Sequence, residues 1–247
     1  MGKLISGVII AKNEDARIQK AIDSLHFVDE IIVINNGSTD KTVEVAQKNS
    51  VRVVDASDSS FAHLRNLGKQ ESRGKWVLYV DADEVIPQSL ASEIQTIIKR
   101  TTPVCYFIRR NNYYLGQKWP TQDRMQRLFL KEALINWHGD LHETPTVKGQ
   151  TAELNEPLNH DTHRTLEEML LKTNEWSKTE ALLRYKASHP PIVAWRLLRM
   201  FFTGFFQTYA TGGGWRAGTV GMIESMYQGF SLFITYAKLW ELQQKKK

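Results

Sequence analysis

The chain has a single cysteine, Cys105, among 247 residues, so an internal disulfide is excluded and a reducing compartment fits. It lies in the strand-like run 104–108 and reads as core packing rather than a catalytic thiol. No Gly-x-Gly-x-x-Gly follows the first predicted strand, which argues against a dehydrogenase-type dinucleotide fold; a Walker loop is also missing. No basic segment leading into a long apolar stretch opens the chain, so no secretory signal is expected. Met1-Gly2-Lys3-Leu4-Ile5-Ser6 fits the loose myristoylation pattern, but 4–10 reads as the first core strand and would hold Gly2 near the folded body. Net positive charge is lacking before residue 184. From Arg184 onward nine Lys and Arg face two Glu, a net of +7 within a total of +5, which leaves −2 upstream. Because the excess is confined to the tail and the aromatics there recur at helical spacing, no nucleic-acid partner is expected.

What the chain does have is an apolar run that ends in acid, Trp76-Val77-Leu78-Tyr79-Val80-Asp81-Ala82-Asp83-Glu84. Such a run suits a strand covered on both faces, the normal state of a parallel sheet between helices. Ligands of open α/β sheets bind at the carboxyl ends of the strands, where these acids stand. Alternation puts Asp81 and Asp83 on one side and Ala82 on the other, a seat for a divalent cation. Asp-x-Asp is weak by itself; its position after a strand gives it weight. Strands are also predicted over 30–35 and 51–54, with helices ending near 25 and covering 41–48 and 62–72. This alternation with short connections is the pattern of a doubly wound sheet. The length allows one sizeable core, hence a single α/β domain with an appendage.

Beyond the acids, a helix over 88–99 and a strand over 104–109 precede an irregular stretch, 111–120. A second polar cluster, Trp137-His138-Gly139-Asp140-Leu141-His142-Glu143, is the best candidate for reactive groups outside the first. Residues 145–157 read as loop and short strand, ending at Asn159-His160-Asp161. Thr165-Leu166-Glu167-Glu168 fits a capping box that starts a helix to about 186. After Pro190-Pro191, a further helix carries Arg196, Arg199, Thr203 and Gln207 as a narrow polar stripe on an otherwise apolar, aromatic surface. An arc that wide is buried or in lipid, and two arginines make it an interfacial helix rather than a span. Gly212-Gly213-Gly214 ends it, and a last helix over 219–243 runs into Lys245-Lys246-Lys247. Basic residues gain about 1 kcal/mol each near anionic lipid, so contact with an anionic membrane surface is expected, with a solvated terminus as the plain alternative. The division drawn is 1–163, catalytic, and 164–247, helical and amphipathic.

Residues 8–14, Asn36-Gly37-Ser38-Thr39-Asp40, Arg65-Asn66, the run 76–84 and His142-Glu143 together resemble the family 2 inverting glycosyltransferases of the GT-A fold. More narrowly, they resemble the lipopolysaccharide core β-1,4-glucosyltransferase branch. The likeness covers about residues 3–160 well and the tail loosely. It implies an α/β fold with a Rossmann-like, mostly parallel sheet flanked by helices and a C-terminal helical extension. It also implies transfer of a hexose from a nucleoside-diphosphate sugar, foremost a UDP-sugar, to a hydroxyl of a saccharide or lipid-linked saccharide, by metal-assisted single displacement. The enzyme would be cytoplasmic and peripheral to the inner face of the cell membrane.

Carried to individual positions, the resemblance sets Lys12, Asn13 and Glu14 along base and ribose, Asn36 and Asp40 beside them, and Arg65 on the nucleotide. The family commonly has an acid at 35 or 36; here both are Asn, whose amide accepts and donates, so the base stays open. Asp83 would hold Mg²⁺ or Mn²⁺ and Asp81 the metal or ribose, since oxygen ligands with phosphate suit hard cations. Glu84 would orient the donor sugar or cap the next helix. Glu143 would be the base, with His142 beside it and Asp140 the second choice; a partly desolvated carboxylate suits that role. Arg124 and Arg127 either bind phosphate or pair with acids, and His160 either adds a metal or pyrophosphate contact or serves structure. Near the glycine-rich break the family often carries Asp-Gly, whereas this chain has Trp215-Arg216-Ala217-Gly218, which leaves the acceptor open. Two rival readings are a metal-dependent nucleotidyltransferase, for which Ala11-Lys12-Asn13-Glu14 is a poor phosphate loop, and a non-catalytic membrane-surface module. Oligomeric state is not readable, because apolar helices pair between subunits as readily as they meet lipid.

Overall fold

The structure, a computed structural model, describes residues 4–49, 51–56, 60–100, 102–139 and 143–245. It forms two compact units, Met1–Asn111 with Asp123–His160, and Asn112–Gln122 with Asp161–Lys247.

The first unit is built on β1 (Ile5–Ala11), buried at every position. The chain continues through α1 (Ile18–Ser24), β2 (Glu30–Asn35), α2 (Thr42–Lys48), β3 (Arg52–Asp55), α3 (Phe61–Glu71), β4 (Trp76–Asp81), β5 (Glu84–Val85) and α4 (Gln88–Ile97). Then follow β6 (Cys105–Tyr114), whose end past Asn111 belongs with β7 (Gln117–Lys118) to the second unit, β8 (Asp123–Leu130), β9 (Leu134–His138), β10 (Thr144–Val147), β11 (Thr151–Glu153) and β12 (Leu158–His163), whose last residues from Asp161 belong to the second unit. The main sheet has the order β3-β2-β1-β4-β8-β6-β12-β5. Its first four strands are parallel, and β8 joins antiparallel to β4.

Alternation along these strands separates two cores. Ile5, Ile9, Trp76, Leu78 and Val80 face one, together with Ile18 and Ile22 of α1 and Leu90 and Ile94 of α4. Val8, Ile10, Val77 and Tyr79 face the other, with Ala62 and Leu64 of α3 and Trp137 of β9. Both faces are therefore covered, and a slip of one residue would exchange the two sets. At the entry to β4 a Cβ on Gly74 would stand 2.6 Å from the backbone nitrogen of Ser6, so only glycine fits there. Cys105 is core, as expected, and burial pushes its thiol up to about 12.

The irregular stretch expected at 111–120 is instead ordered. Strand β6 runs on to Tyr114, turns through Leu115 and Gly116 at φ 49° and 79°, and returns as β7. A two-residue hairpin turn with two positive φ values normally announces itself as Asn-Gly or Asp-Gly; leucine in the first position hid it.

In the second unit, Thr165 accepts from the Glu168 amide and opens α5 (Leu166–Lys186), as the capping box predicts. Helix α6 (Ala194–Phe206) runs into a π-helical turn, Gln207–Thr211, and a 3-10 turn, Gly214–Ala217, before α7 (Gly218–Gln244). A Cβ on Gly204 would meet the Gln228 carbonyl at 2.7 Å, and one on Gly229 the Phe201 carbonyl at 2.7 Å. These two glycines let α6 and α7 cross at backbone distance. Trp195, Leu198, Phe202 and Phe206 form an exposed stripe along α6. Among the described residues no helix is long and apolar enough to cross a membrane.

Candidate active site

Strand register in the first unit assembles the site. Ala11 pairs with Asn35 and Ile10 with Asp81, so the carboxyl ends of β1, β2 and β4 lie side by side. The two loops that follow β1 and β2 are tied to each other. Asn13, at φ 56°, accepts from the Thr39 amide at 2.8 Å and gives its own amide to Ser38 Oγ; the Glu14 amide donates to Thr42 Oγ1 at 2.7 Å. Asp40 accepts from the Thr42 amide and hydroxyl and from the Asp15 amide. Burial opposes its charge, but these hydrogen bonds outweigh it and lower its pKa. Asp40 is thus the brace between the loops, while Lys12 and Asn13 stay exposed and Asn36 half-buried at the rim. Glu14 pairs with Arg17.

Behind the rim lies a network of buried charge. Arg127, fully buried, donates through Nη2 to Asp81 Oδ2 at 2.5 Å and to Glu84 Oε1 at 2.6 Å. Arg65, 2% exposed, donates to Asp81 Oδ1 at 3.2 Å and through Nε to Glu143 Oε1 at 2.8 Å. Its guanidinium lies 5.0 Å from the Trp137 ring centre and 5.6 Å from that of Tyr79. Burial disfavours the charge on Asp81, but Arg127 and Arg65 outweigh it and hold the carboxyl well below the usual range. Burial works against Arg127 too, and its two carboxylate partners raise it further above the ordinary guanidinium value. Glu84, also fully buried, accepts from the Asp81 amide at 2.9 Å and lies 3.4 Å from Arg110, which in turn donates to Asp123.

The strand-end acids expected to act as a pair therefore part company. Asp81 gives both oxygens to arginines, and Glu84 neither caps a helix nor faces the rim. Asp83 goes elsewhere. The antiparallel β5–β12 ladder sets His160 opposite Glu84, and its ring Nε2 comes within 3.4 Å of Asp83 Oδ2. Among the described residues no three acidic, His or Cys side chains group as a ready-made metal cage. An oxygen and a nitrogen donor in reach of each other do suit a cation that takes its remaining ligands from phosphate and water.

Of the residues singled out from sequence, Arg65, Asp81, Glu84, Arg127 and Glu143 meet in one network, and Lys12, Asn13, Glu14, Asn36 and Asp40 share the neighbouring rim. Asp140 and His142 lie outside the described residues. Arg65 is buried against acids and rings, not presented as a surface contact, and its neighbour Asn66 exchanges two hydrogen bonds with the Trp137 backbone, both 2.8 Å, as an anchor between α3 and β9. Arg124 pairs with Glu153 at the surface. Sequence reading missed Arg110 and Tyr79, and named Trp137 only as part of the second polar cluster, without a role. For Tyr79, its place in the apolar run 76–80 gave only a core signal.

The model of the Glycosyl transferase family 2 domain matches residues 6–156. A Rickettsia bellii protein described as an uncharacterized glycosyltransferase is 28% identical over 261 residues, covering 97% of this chain and 87% of its own. LpsC of Rhizobium meliloti, a lipopolysaccharide core biosynthesis glycosyltransferase, is 24% identical over 252 residues, covering 96% and 92%. Among solved structures, S. aureus TarS 1–349 in complex with UDP-GlcNAc aligns over 99% of this chain and 92% of that one, with a TM-score of 0.51 at 12% identity. That likeness speaks for the fold, the mixed α/β GT-A architecture with its C-terminal helix. The domain match spans more than half of the chain, and the protein belongs to glycosyl transferase family 2.

Proposed function

We propose that the protein transfers a hexose, with inversion, from a UDP-sugar to a hydroxyl of a saccharide or lipid-linked saccharide of the lipopolysaccharide core kind. The observation that carries the reading is the Asp83–His160 pair at the strand ends, beside two braced loops and a buried arginine network that ends on Glu143. The rim of Lys12, Asn13 and Asn36 takes the base and ribose. Asp83 and His160 would hold Mg²⁺ or Mn²⁺, which would supply Lewis-acid neutralisation of the leaving diphosphate. Asp81 acts as a positioning group: it fixes Arg65, and Arg65 fixes Glu143. The acceptor hydroxyl gives its proton to a Glu143 oxygen as its own oxygen bonds the anomeric carbon. The bond from that carbon to the diphosphate breaks, and its electron pair leaves on the diphosphate. A carboxylate held by Arg65, with the acceptor hydroxyl brought against it, would serve as such a base.

The UDP-sugar and the core-type acceptor follow TarS and LpsC, whose names carry them. The exposed stripe of Trp195, Leu198, Phe202 and Phe206, with Arg196 and Arg199 on the same helix, supports docking on an anionic membrane surface. Thermal shift with UDP and Mn²⁺ tests the central claim. The two should stabilise the protein together, and Asp83→Ala should remove the metal-dependent part. A wild-type protein indifferent to both would end the transferase mechanism proposed here.

A further inference from the structure

The second unit contains a cleft of about 520 Å³ that no part of the transfer mechanism uses. This lies within the roughly 300–1,000 Å³ common for small-molecule sites. Its origin is local. Where Gly204 lets α6 meet α7 the helices touch, and one turn later the chain widens into the π turn, closed by the Gly212 amide on the Gln207 carbonyl at 2.8 Å. π turns recur at functional sites because the extra residue pushes side chains out of the regular helical array. Here the cleft is lined by Gln207 and Thr208 on one side and by Glu224 and Gln228, one turn apart on α7, on the other.

The chemistry of the lining selects a ligand. Among the described residues no lysine or arginine lines the cleft, and the only acid that does, Glu224, is 2% exposed. A phosphate, nucleotide or carboxylate would enter against that charge with no cation to meet it. Glu224 is held in place by Gln228 Nε2 at 2.7 Å and by His163 Nδ1 at 3.1 Å, which leaves acceptor capacity on its oxygens. Among the described residues, the Gln207 amide and the Thr208 hydroxyl have no hydrogen-bond partner, and both can donate and accept. Trp119 gives its indole N–H to the Gly212 carbonyl at 2.9 Å, which fixes the ring, and Tyr114 packs 4.7 Å from it. Two fixed aromatics with amide, hydroxyl and carboxylate groups around them match a ring that has apolar C–H faces and a hydroxyl edge.

We propose that this cleft binds a neutral saccharide. The binding does not depend on the transfer reading above.

Saturation-transfer NMR on the full chain tests it with cellobiose and methyl α-D-mannopyranoside as probes and glucose 1-phosphate as the charged control. Spectra are taken with and without UDP and Mn²⁺, so that sugar lodged in the donor site is recognised by its displacement. Neutral sugars should receive saturation in both conditions, and glucose 1-phosphate should receive less. Gln207→Trp, at an exposed position, should fill the cleft and weaken the neutral sugars by at least about tenfold, equivalent to about 1.4 kcal/mol. Gln207→Ala, which removes only the amide, should weaken them less. Absence of saturation on both neutral sugars, equal signals in wild type and Gln207→Trp, or tighter binding of the phosphate would each overturn the proposal. Sugar binding at the cleft by a protein that ignores UDP and Mn²⁺ would sink the transfer mechanism and leave the cleft standing.

Discussion

Replacing Arg127 with methionine removes a cation that touches both Asp81 and Glu84, at 2.5 and 2.6 Å, in surroundings where Arg127 and Glu84 are fully buried. Breaking a buried pair from one side costs about 3–5 kcal/mol, because the partner charge is left behind without water. Arg110, 3.4 Å from Glu84, and Arg65, 3.2 Å from Asp81, remain as weaker partners, so the expected loss is near the lower end, ~3 kcal/mol. For a chain of this size each kcal/mol moves Tm by about 2–4 °C, giving a drop of roughly 6–12 °C. The pH dependence separates this cause from lost packing. In the wild type the depressed pKa of Asp81 contributes stability that is present above the ordinary carboxylate value of about 3.9 and fades as pH falls through the folded value. In the variant, protonation relieves the stranded carboxylates, so acid helps the folded state. The gap between the two proteins should therefore narrow from pH 7 to pH 4. Urea unfolding across that range reads it, and Glu84→Gln added to Arg127→Met should return part of the loss at neutral pH. A gap that stays constant with pH, or a double variant as unstable as the sum of its parts, would refute the reasoning.

Four further outcomes are expected. Glu143→Gln should cut transfer by about 10²–10⁴-fold while leaving stabilisation by UDP and Mn²⁺ intact, and near-normal turnover in a donor-dependent assay would remove Glu143 from the role of base. His160→Ala should abolish the increment of thermal stabilisation that Mn²⁺ adds to UDP, with the increment from UDP alone retained; an unchanged Mn²⁺ increment would return His160 to a structural part. Gly74→Ala should cost about 1–3 kcal/mol in urea unfolding, because its Cβ would press on the Ser6 backbone rather than on a side chain that can move. Trp195→Ser with Phe202→Ser should lower partition onto anionic vesicles by on the order of tenfold or more, and equal partition of the folded variant would exclude this stripe as the lipid contact.

The parallel half of the first unit was legible because its signals are local. The run 76–80 alternates between two cores without interruption, and turn residues follow each of the first two strands, so strand, helix and strand end could be placed from neighbours alone. The arrangement of charge was not legible in the same way. Asp81 finds its partners 16 residues upstream at Arg65 and 46 downstream at Arg127, through sheet order that no spacing rule encodes. Arg110 was overlooked because Asn111 and Asn112 read as the end of a strand that in fact continues to Tyr114. The π turn at Gln207–Thr211 has no sequence signature at all; the glycines after it signalled only an ending.

The two aspartates of the Asp-x-Asp run show how register turns a symmetric motif into two different groups. Both stand on the same side of a strand by count, yet Asp81 is still within β4, paired across to Ile10 and within reach of two guanidinium groups, while Asp83 lies in the turn between β4 and β5 and meets an imidazole. The difference matters for any cation that comes to the site. A guanidinium keeps its proton at every pH at which the protein is folded, so Asp81 cannot exchange arginine for metal without stranding a buried positive charge. An imidazole nitrogen, unlike a guanidinium, is itself a common metal ligand. Asp83 and His160 therefore offer a cation one oxygen and one nitrogen donor, whereas Asp81 is committed to two guanidinium groups. This asymmetry is why the proposed mechanism assigns the metal to Asp83 with His160 and leaves Asp81 to position Arg65.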